Sequence, residues 1–499
     1  HAPTKETDGT VVRAGAACIA CGTAVPLKDV RAKAQAGDMS EQLMAVVAEG
    51  DRRRHYVAPS ADQDQAALVP IPPVVPEAEM PDASLGFRTQ AYGMSRYSDL
   101  FTPRQLTALT TLSDLVGEAR DRVRSDALTS GLPDDGIGLE AGGTGASAYA
   151  DSVAVYLALA PNKVANLGSS LTSWMSDRGA LRETFARQAI PMVWDYAEAN
   201  PLGESGGGLS MALDKVAMAL EAVPASSHST VSQADARSAA YSGVLVATDP
   251  PYYDNIGYAN LSDFFYGWLR RSLGDILPSL FPTVQTPKAD ELVADPYRQG
   301  GRAEASHFFE NGFRQVFAGI RNSTPQDFPI TVFYAFKQSD SDESGTASTG
   351  WQTLLEGMIE ARWEVTATWP MRTESSGRIL AGGTNALASS IVLAMRPRPA
   401  SAEALNRRSF VSALKEEMPL ALRKLQQGSI APVDLAQAAI GPGMEVFSRY
   451  SRVVEADGSD MSVRTALALI NQVLDEVLAE QEGDFDSETR FCVKWFSQF

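Results

Sequence analysis

Three cysteines in 499 residues cannot build a disulfide framework, and that scarcity fits a protein working in a reducing, cytoplasmic setting. No stretch approaches the ~18 uninterrupted apolar residues of a membrane span, so no membrane partner is expected. Residues His1 to Val12 are polar and lack an apolar signal-peptide core. Positive charge is also short: 43 Lys and Arg against 61 Asp and Glu leave a net charge of −18. Such a surface weighs against non-specific nucleic-acid binding by the whole molecule but not against a local basic groove. A phosphate-cradling loop is missing too. Gly136-Ile137-Gly138-Leu139-Glu140-Ala141-Gly142-Gly143-Thr144-Gly145 follows no strand and matches neither GxGxxG nor a GK[ST] ending, so it reads as an inter-helix loop.

What is present is an apolar fraction of 44% and a charged fraction of 21%, the balance of a globular chain. Its length predicts two to three units. Acidic residues gather late, at Glu476, Glu480, Glu482, Asp484, Asp486 and Glu488. The chain begins at a histidine, and Cys492 to Phe499 is an amphipathic run without a stop signal, the expectation being a piece of a longer polypeptide.

Composition divides the chain into five segments. Residues 1–68 carry Cys18-Ile19-Ala20-Cys21-Gly22 and then the basic run Arg52-Arg53-Arg54-His55. A CxxCG knuckle is half of a zinc ribbon, because tetrahedral zinc takes four ligands, so Cys18 and Cys21 are the candidate metal ligands. Residues 69–84, rich in proline from Val69 to Pro81, read as an extended linker. Residues 85–240 read as helical, with Thr102-Pro103 starting a helix that places Leu106, Leu109, Leu112, Leu115 and Val116 at helical spacing. Residues 241–400 alternate strand and helix, and 401–499 are helical again.

The fold class that follows is α/β, a partial Rossmann-like sheet with large helical insertions and a helical C-terminal region. Its focus is Gly243-Val244-Leu245-Val246-Ala247-Thr248-Asp249-Pro250-Pro251-Tyr252. An unbroken apolar run predicts a strand buried on both faces. Two prolines then forbid further ladder pairing and turn the chain at the carboxyl end of the strand, where ligands of open α/β sheets bind.

The residue types delivered there suit one chemistry. The lone pair of an exocyclic amine is delocalised, so a site that methylates it needs acceptors for the amine hydrogens. Asp249 offers a carboxylate and Pro250 a carbonyl, while Tyr252 offers a face on which an extruded base can stack. Asp249, Pro250, Pro251 and Tyr252 are therefore the candidate catalytic residues, with Tyr253 and Asn255 beside them as candidate substrate contacts.

From Asp249 through Asn255 and on to Asn260-Leu261-Ser262-Asp263-Phe264-Phe265, the sequence resembles the large prokaryotic adenine-specific DNA methylases that contain a zinc ribbon. Further stretches carry the resemblance: Leu100 to Leu106, Thr184 to Ala189, Val193 to Glu198, Ala335 to Gln338, Trp369 to Glu374 and Ile430 to Gln437. It implies S-adenosylmethionine as methyl donor, the N6 amine of adenine in DNA as acceptor, and a restriction-modification or phage-defence setting with possible partner subunits. It also implies that Phe101, Thr102 and Pro103 touch the donor, whereas the family's glycine-rich donor loop has no counterpart here. Related motifs serve cytosine N4, RNA guanine N2 and protein glutamine methylases, and a non-catalytic DNA-binding scaffold subunit is the alternative of a different class.

Overall fold

A computed structural model describes residues 10–12, 15–18, 20–51, 53–223, 229–253, 256–334, 349–372, 389–427, 432–483, 488 and 492. Several stretches read from the sequence lie outside the described residues: Ile19, Arg52, Asn255, the segment from Ala335 through the loop 339–348, Arg378, the glycine run at Gly382-Gly383-Thr384-Asn385, and the end after Cys492.

The chain is mixed α/β and forms two compact units, one from His1–Val231 with Ile256–Glu291, the other from Ser232–Asn255 with Leu292–Phe499. The first unit opens with an antiparallel sheet of β1 (Val11–Val12), β2 (Gly15–Ala17) and β3 (Ala24–Pro26), followed by α1 (Leu27–Gln35). A hairpin of β4 (Val46–Gly50) and β5 (Arg53–Val57) and the short α2 (Ala61–Ala66) come next. Two long helices then carry the unit, α3 (Pro103–Thr129) and α4 (Ala146–Leu167), before the hairpin of β6 (Ser173–Met175) with β7 (Ala180–Arg182) and the helix α5 (Leu209–Ala222). Helix α6 (Tyr258–Leu273) completes it.

Helix α3 forms where the sequence predicts because its start is chemically marked. Thr102 Oγ1 accepts from the Gln105 amide at 3.2 Å while Gln105 Oε1 accepts from the Thr102 amide at 2.9 Å. Pro103 fills the first position, where no intrahelical donor is needed. Leu106, Leu109, Leu112 and Val116 are buried along one face. Alanines 150, 154 and 158 of α4, all fully buried, let the two helices approach closely. The proline-rich stretch is extended as expected but is no free linker. Ala78 and Met80 are buried in this core, with Tyr97 donating its amide to the Ala78 carbonyl and Met80 donating to Ser95.

The second unit is built on a four-stranded sheet of β8 (Ala247–Thr248), β9 (Ile330–Tyr334), β10 (Trp363–Arg372) and β11 (Ser389–Pro397) in the order β10-β11-β9-β8. Between β8 and β9 the chain of this unit passes through α7 (Pro296–Gln299) and α8 (Arg302–Ser323). Strands β8 and β9 are parallel, whereas β11 is antiparallel to both of its neighbours. Helix α9 (Thr349–Glu360) precedes β10. Beyond the sheet lie α10 (Arg407–Gln427), α11 (Pro432–Ser448) and α12 (Val463–Gly483), with a short parallel pair of β12 (Ala404–Asn406) and β13 (Arg452–Val454) inside a region the sequence predicts as all helix.

The burial pattern of the sheet departs from the sequence reading. The run Val244 to Ala247 is not a strand buried on both faces: β8 is an edge of the sheet, with Val244 45% and Leu245 66% exposed. The strand covered on both faces is β11, whose residues Ile391 to Met395 are all buried. Both segments are unbroken apolar runs, and what separates them is how many neighbours each finds.

Candidate functional site

Asp249 follows directly on β8, whose Ala247 and Thr248 pair in parallel with Thr331 and Val332. The Thr331 amide also donates to the Val246 carbonyl at 3.0 Å, which fixes the direction of approach. The strand thus delivers the motif to the carboxyl end of a parallel pair, as its sequence predicts. Asp249 is exposed, and Pro250, Pro251 and Tyr252 are half-buried.

The two tyrosines face different tasks. The Tyr252 ring meets Tyr334, the last residue of β9, edge-on with ring centres 6.0 Å apart. Tyr253 turns inward. Its ring sits edge-on at 5.0 Å from Phe309 of α8, its carbonyl accepts from the Ala294 amide at 2.8 Å, and its hydroxyl donates to Ser306 Oγ at 2.7 Å. Ser306 passes the interaction on to Glu310 Oε1 at 3.0 Å. Ser306, Phe309 and Glu310 were not singled out from sequence. The spacing of Ser306 and Glu310 marks one helix face, and nothing local in the chain connects that face to a tyrosine more than fifty residues earlier.

Along α8 runs a groove of about 460 Å³ lined by Arg237, Glu304, His307, Phe308, Asn311 and Gln315. Asp235 grips the Arg237 guanidinium at 2.8 to 3.1 Å, and that guanidinium lies 5.7 Å over the Phe308 ring. The groove is thereby lined by a paired cation, the Glu304 carboxylate, the His307 imidazole and the amides of Asn311 and Gln315.

Phe101, Thr102 and Pro103 belong to the other unit, so they share no compact unit with Asp249. Phe101 is buried, stacked on Phe264 of α6 at 5.1 Å and edge-on to Trp268 at 5.4 Å, while Phe185 meets Phe264 at 5.0 Å. Arg104 ties the same helix start to a second stretch, pairing with Glu41 at 3.0 Å and with Glu198 at 2.5 Å. Tyr196 donates to Glu41 as well. Three of the stretches that carry the family resemblance therefore meet in one unit, held by aromatic packing and one guanidinium. Helix α6 is anchored there too: buried Asp263 accepts from the Thr286 amide and hydroxyl at 2.7 and 2.8 Å and pairs with Lys288 at 2.7 Å.

The CxxCG knuckle is a tight connection between β2 and β3. The Cys18 amide donates to the Thr23 carbonyl at 2.9 Å and the Gly22 amide donates to the Cys18 carbonyl at 2.7 Å. Gly22 takes a φ of 72°, a left-handed conformation that glycine adopts without strain. The Thr23 hydroxyl, 3.2 Å from Cys21 Sγ, and the Thr23 amide stabilise a thiolate, with Cys18 adding a smaller contribution, so Cys21 is held below its ordinary range. That is the state a metal ligand needs. Among the described residues, however, no group of three His, Cys, Asp or Glu side chains is placed to hold a metal ion, so the knuckle supplies two ligands of the four that zinc takes.

The glycine-rich loop between α3 and α4 spends its amides on its own aspartates. Asp134 accepts from the Gly136 and Ser147 amides, Asp135 from Ile137 and Thr144, and Asp151 from Leu139. Arg124 and Arg120 pair with Asp134 and Asp151 at 2.8 and 2.5 Å. The amides of Gly136, Ile137, Leu139 and Thr144 are thus held by carboxylates rather than open to a phosphate. Among the described residues no helix is long and apolar enough to cross a membrane. No family model, curated protein or solved structure matches the chain.

Proposed function

We propose that this chain carries the acceptor site of an S-adenosylmethionine-dependent DNA methyltransferase that acts on the exocyclic N6 amine of adenine, in a restriction-modification or phage-defence setting. The observation that carries this reading is the position of Asp249: an exposed carboxylate at the carboxyl end of β8, in a parallel pair, on a loop stiffened by Pro250 and Pro251. A partial Rossmann-like sheet is the architecture that such a placement supports.

In this reading the Asp249 carboxylate and the Pro250 carbonyl accept the two amine hydrogens, so that the nitrogen lone pair is freed as it attacks. Tyr252, fixed edge-on by Tyr334, supplies a stacking face for the extruded base, an interaction worth ~1–3 kcal/mol per base. Positioning carries most of the rate, since attack must be in line with the methyl group. S-adenosylmethionine supplies that methyl group. Four amides of the Gly136–Gly145 loop are committed to aspartates, which weighs against the loop as a cradle for it. Cys18 and Cys21 would act as thiolate ligands of a ribbon zinc completed by two further ligands.

The committed glycine loop also favours a second reading, a non-catalytic DNA-binding or scaffold subunit. Transfer of tritiated methyl groups from S-adenosylmethionine to adenine in DNA decides between them. The enzyme reading expects methyl transfer that Asp249→Ala lowers by ~1,000-fold or more with an unchanged unfolding midpoint, and weak or no S-adenosylmethionine binding by this chain alone. Wild-type transfer by Asp249→Ala removes the site assignment, and DNA binding with no transfer even when a donor-binding part is supplied favours the scaffold.

A further inference from the structure

We infer that the hairpins β4–β5 and β6–β7 of the first unit form a DNA-contacting surface, with Arg53, Arg54, Arg178 and Arg182 meeting phosphates and Tyr56 and Trp174 meeting bases. The inference rests on DNA being the partner, as in the proposed function, but not on Asp249.

All five residues of β5 are exposed, as are all of β4 except Val46. A two-stranded ribbon with both faces open is marginal by itself. What it does have is an interlock with the second hairpin. The Arg54 guanidinium lies 6.0 Å over the Trp174 ring, and the Tyr56 ring stands edge-on to Trp174 at 6.2 Å and 83°. The Arg54 guanidinium reaches over Gly179 in the β6–β7 turn, whose φ of 58° glycine adopts without strain. The result is a guanidinium and two aromatic rings interleaved across two hairpins, with Tyr56 59% exposed.

Beneath this surface, Trp174 Nε1 and Arg182 Nε are shielded from solvent and make no hydrogen bond among the described residues. The exposed guanidinium groups of Arg53, Arg54 and Arg178 select an acceptor-rich, anionic ligand. The neighbouring carboxylates do not satisfy the surface: Arg54 is 3.9 Å from Glu49 and Arg178 is 3.7 Å from Asp177, both pairs being solvent-exposed. Such pairs contribute ~0–1 kcal/mol and exchange readily for phosphate. Asp51 adds one further negative charge in the β4–β5 turn. On a chain with a net charge of −18, DNA is repelled by most of the surface, which makes a local basic and aromatic patch the place where contact is favoured. Arginine forks bind phosphates, and exposed aromatic faces accept stacked bases whatever their sequence.

The test is fluorescence anisotropy of labelled single-stranded and duplex oligonucleotides against the full chain over a range of salt concentrations. Arg53→Ala/Arg54→Ala is expected to weaken binding at least tenfold and to flatten the log K against log salt slope by about two phosphate contacts' worth, ~0.7–0.9 each. Tyr56→Ala is expected to weaken single-strand binding on the order of tenfold with an unchanged salt slope. The charge control is Arg122→Ala/Arg423→Ala, which removes two exposed cations elsewhere and is expected to leave binding within twofold. Equal loss in the control and the hairpin variant, unchanged binding in the hairpin variant, or no oligonucleotide binding by the unmodified chain overturns the inference. The hairpin variants are read by oligonucleotide binding and Asp249→Ala by methyl transfer, so failure of the methyl-transfer reading and failure of the hairpin surface are separate results.

Discussion

The Tyr253 hydroxyl donates to Ser306 Oγ at 2.7 Å, and that hydroxyl donates onward to Glu310. The tyrosine next to the motif is thus bonded into α8. Tyr253→Phe should cost about 1 kcal/mol of stability, the net worth of one neutral hydrogen bond, and Ser306→Ala at least as much, because it also loses the bond to Glu310. The double variant should cost less than the sum, because both remove the same bond. Urea unfolding measures all three. If Tyr253→Phe left stability unchanged but slowed methyl transfer tenfold, Tyr253 would be a substrate contact after all.

Phe101 is stacked on Phe264 in a buried aromatic cluster, so Phe101→Ala should destabilise the first unit by about 3–5 kcal/mol through a cavity and lost ring contacts. Thr102→Ala should cost about 1 kcal/mol through loss of the α3 cap. A donor-contact role alone predicts the opposite pattern, with normal unfolding midpoints and weakened S-adenosylmethionine binding by calorimetry.

Gly441 of α11 lies so close to β10 that an added Cβ would stand 2.1 to 2.5 Å from Thr368 side-chain atoms. Helix and strand can meet there only without a side chain. Gly441→Ala should cost about 1–3 kcal/mol by overpacking. By contrast, Gly117→Ala on α3, where a Cβ meets nothing within 4 Å, should be neutral or stabilising. Matching thermal midpoints for the two variants would show that α11 is free to shift.

Burial pushes the Glu445 carboxyl above its ordinary value, with Glu417 and Glu364 adding to the rise against the pull of Arg449 and Lys424. Burial raises Glu364 as well. A carboxyl raised on folding binds its proton more tightly in the native state, so its contribution is present below the ordinary glutamate value and is lost as pH rises through the folded value. Glu445→Gln should therefore gain stability over the parent near neutral pH, with the difference closing on acidification toward the ordinary glutamate range. Melting curves at several pH values test this, and a difference that does not change with pH would rule the mechanism out. Asp134 and Asp135 act in the opposite sense, their carboxylates being held low by Arg124 and by loop amides respectively, and lose their contribution only below the ordinary aspartate value.

Much of the fold was legible locally. The start of α3 was marked by Thr102, Pro103 and Gln105, whose capping chemistry involves neighbours three residues apart. Helix α5 and strands β9, β10 and β11 fall on the stretches that periodicity and apolar runs indicate, because each pattern reflects the geometry of its own element. The short pair β12–β13 was not legible, since three residues of strand gain their ladder only from a partner nearly fifty residues away.

The sequence by itself determined that a parallel strand would end at Asp249 with its carboxylate outside the ladder, because two prolines cannot donate to a sheet. It also determined the CxxCG turn and the absence of an apolar membrane run. Only the tertiary structure decided that β8 is an edge while β11 is covered on both faces, that Tyr253 is spent on Ser306, and that Phe101 is packing rather than surface. The physical reason is the same in each case. An apolar run or a tyrosine states what it can bury or bond, and the number and identity of its neighbours depend on segments the chain brings together only when it folds.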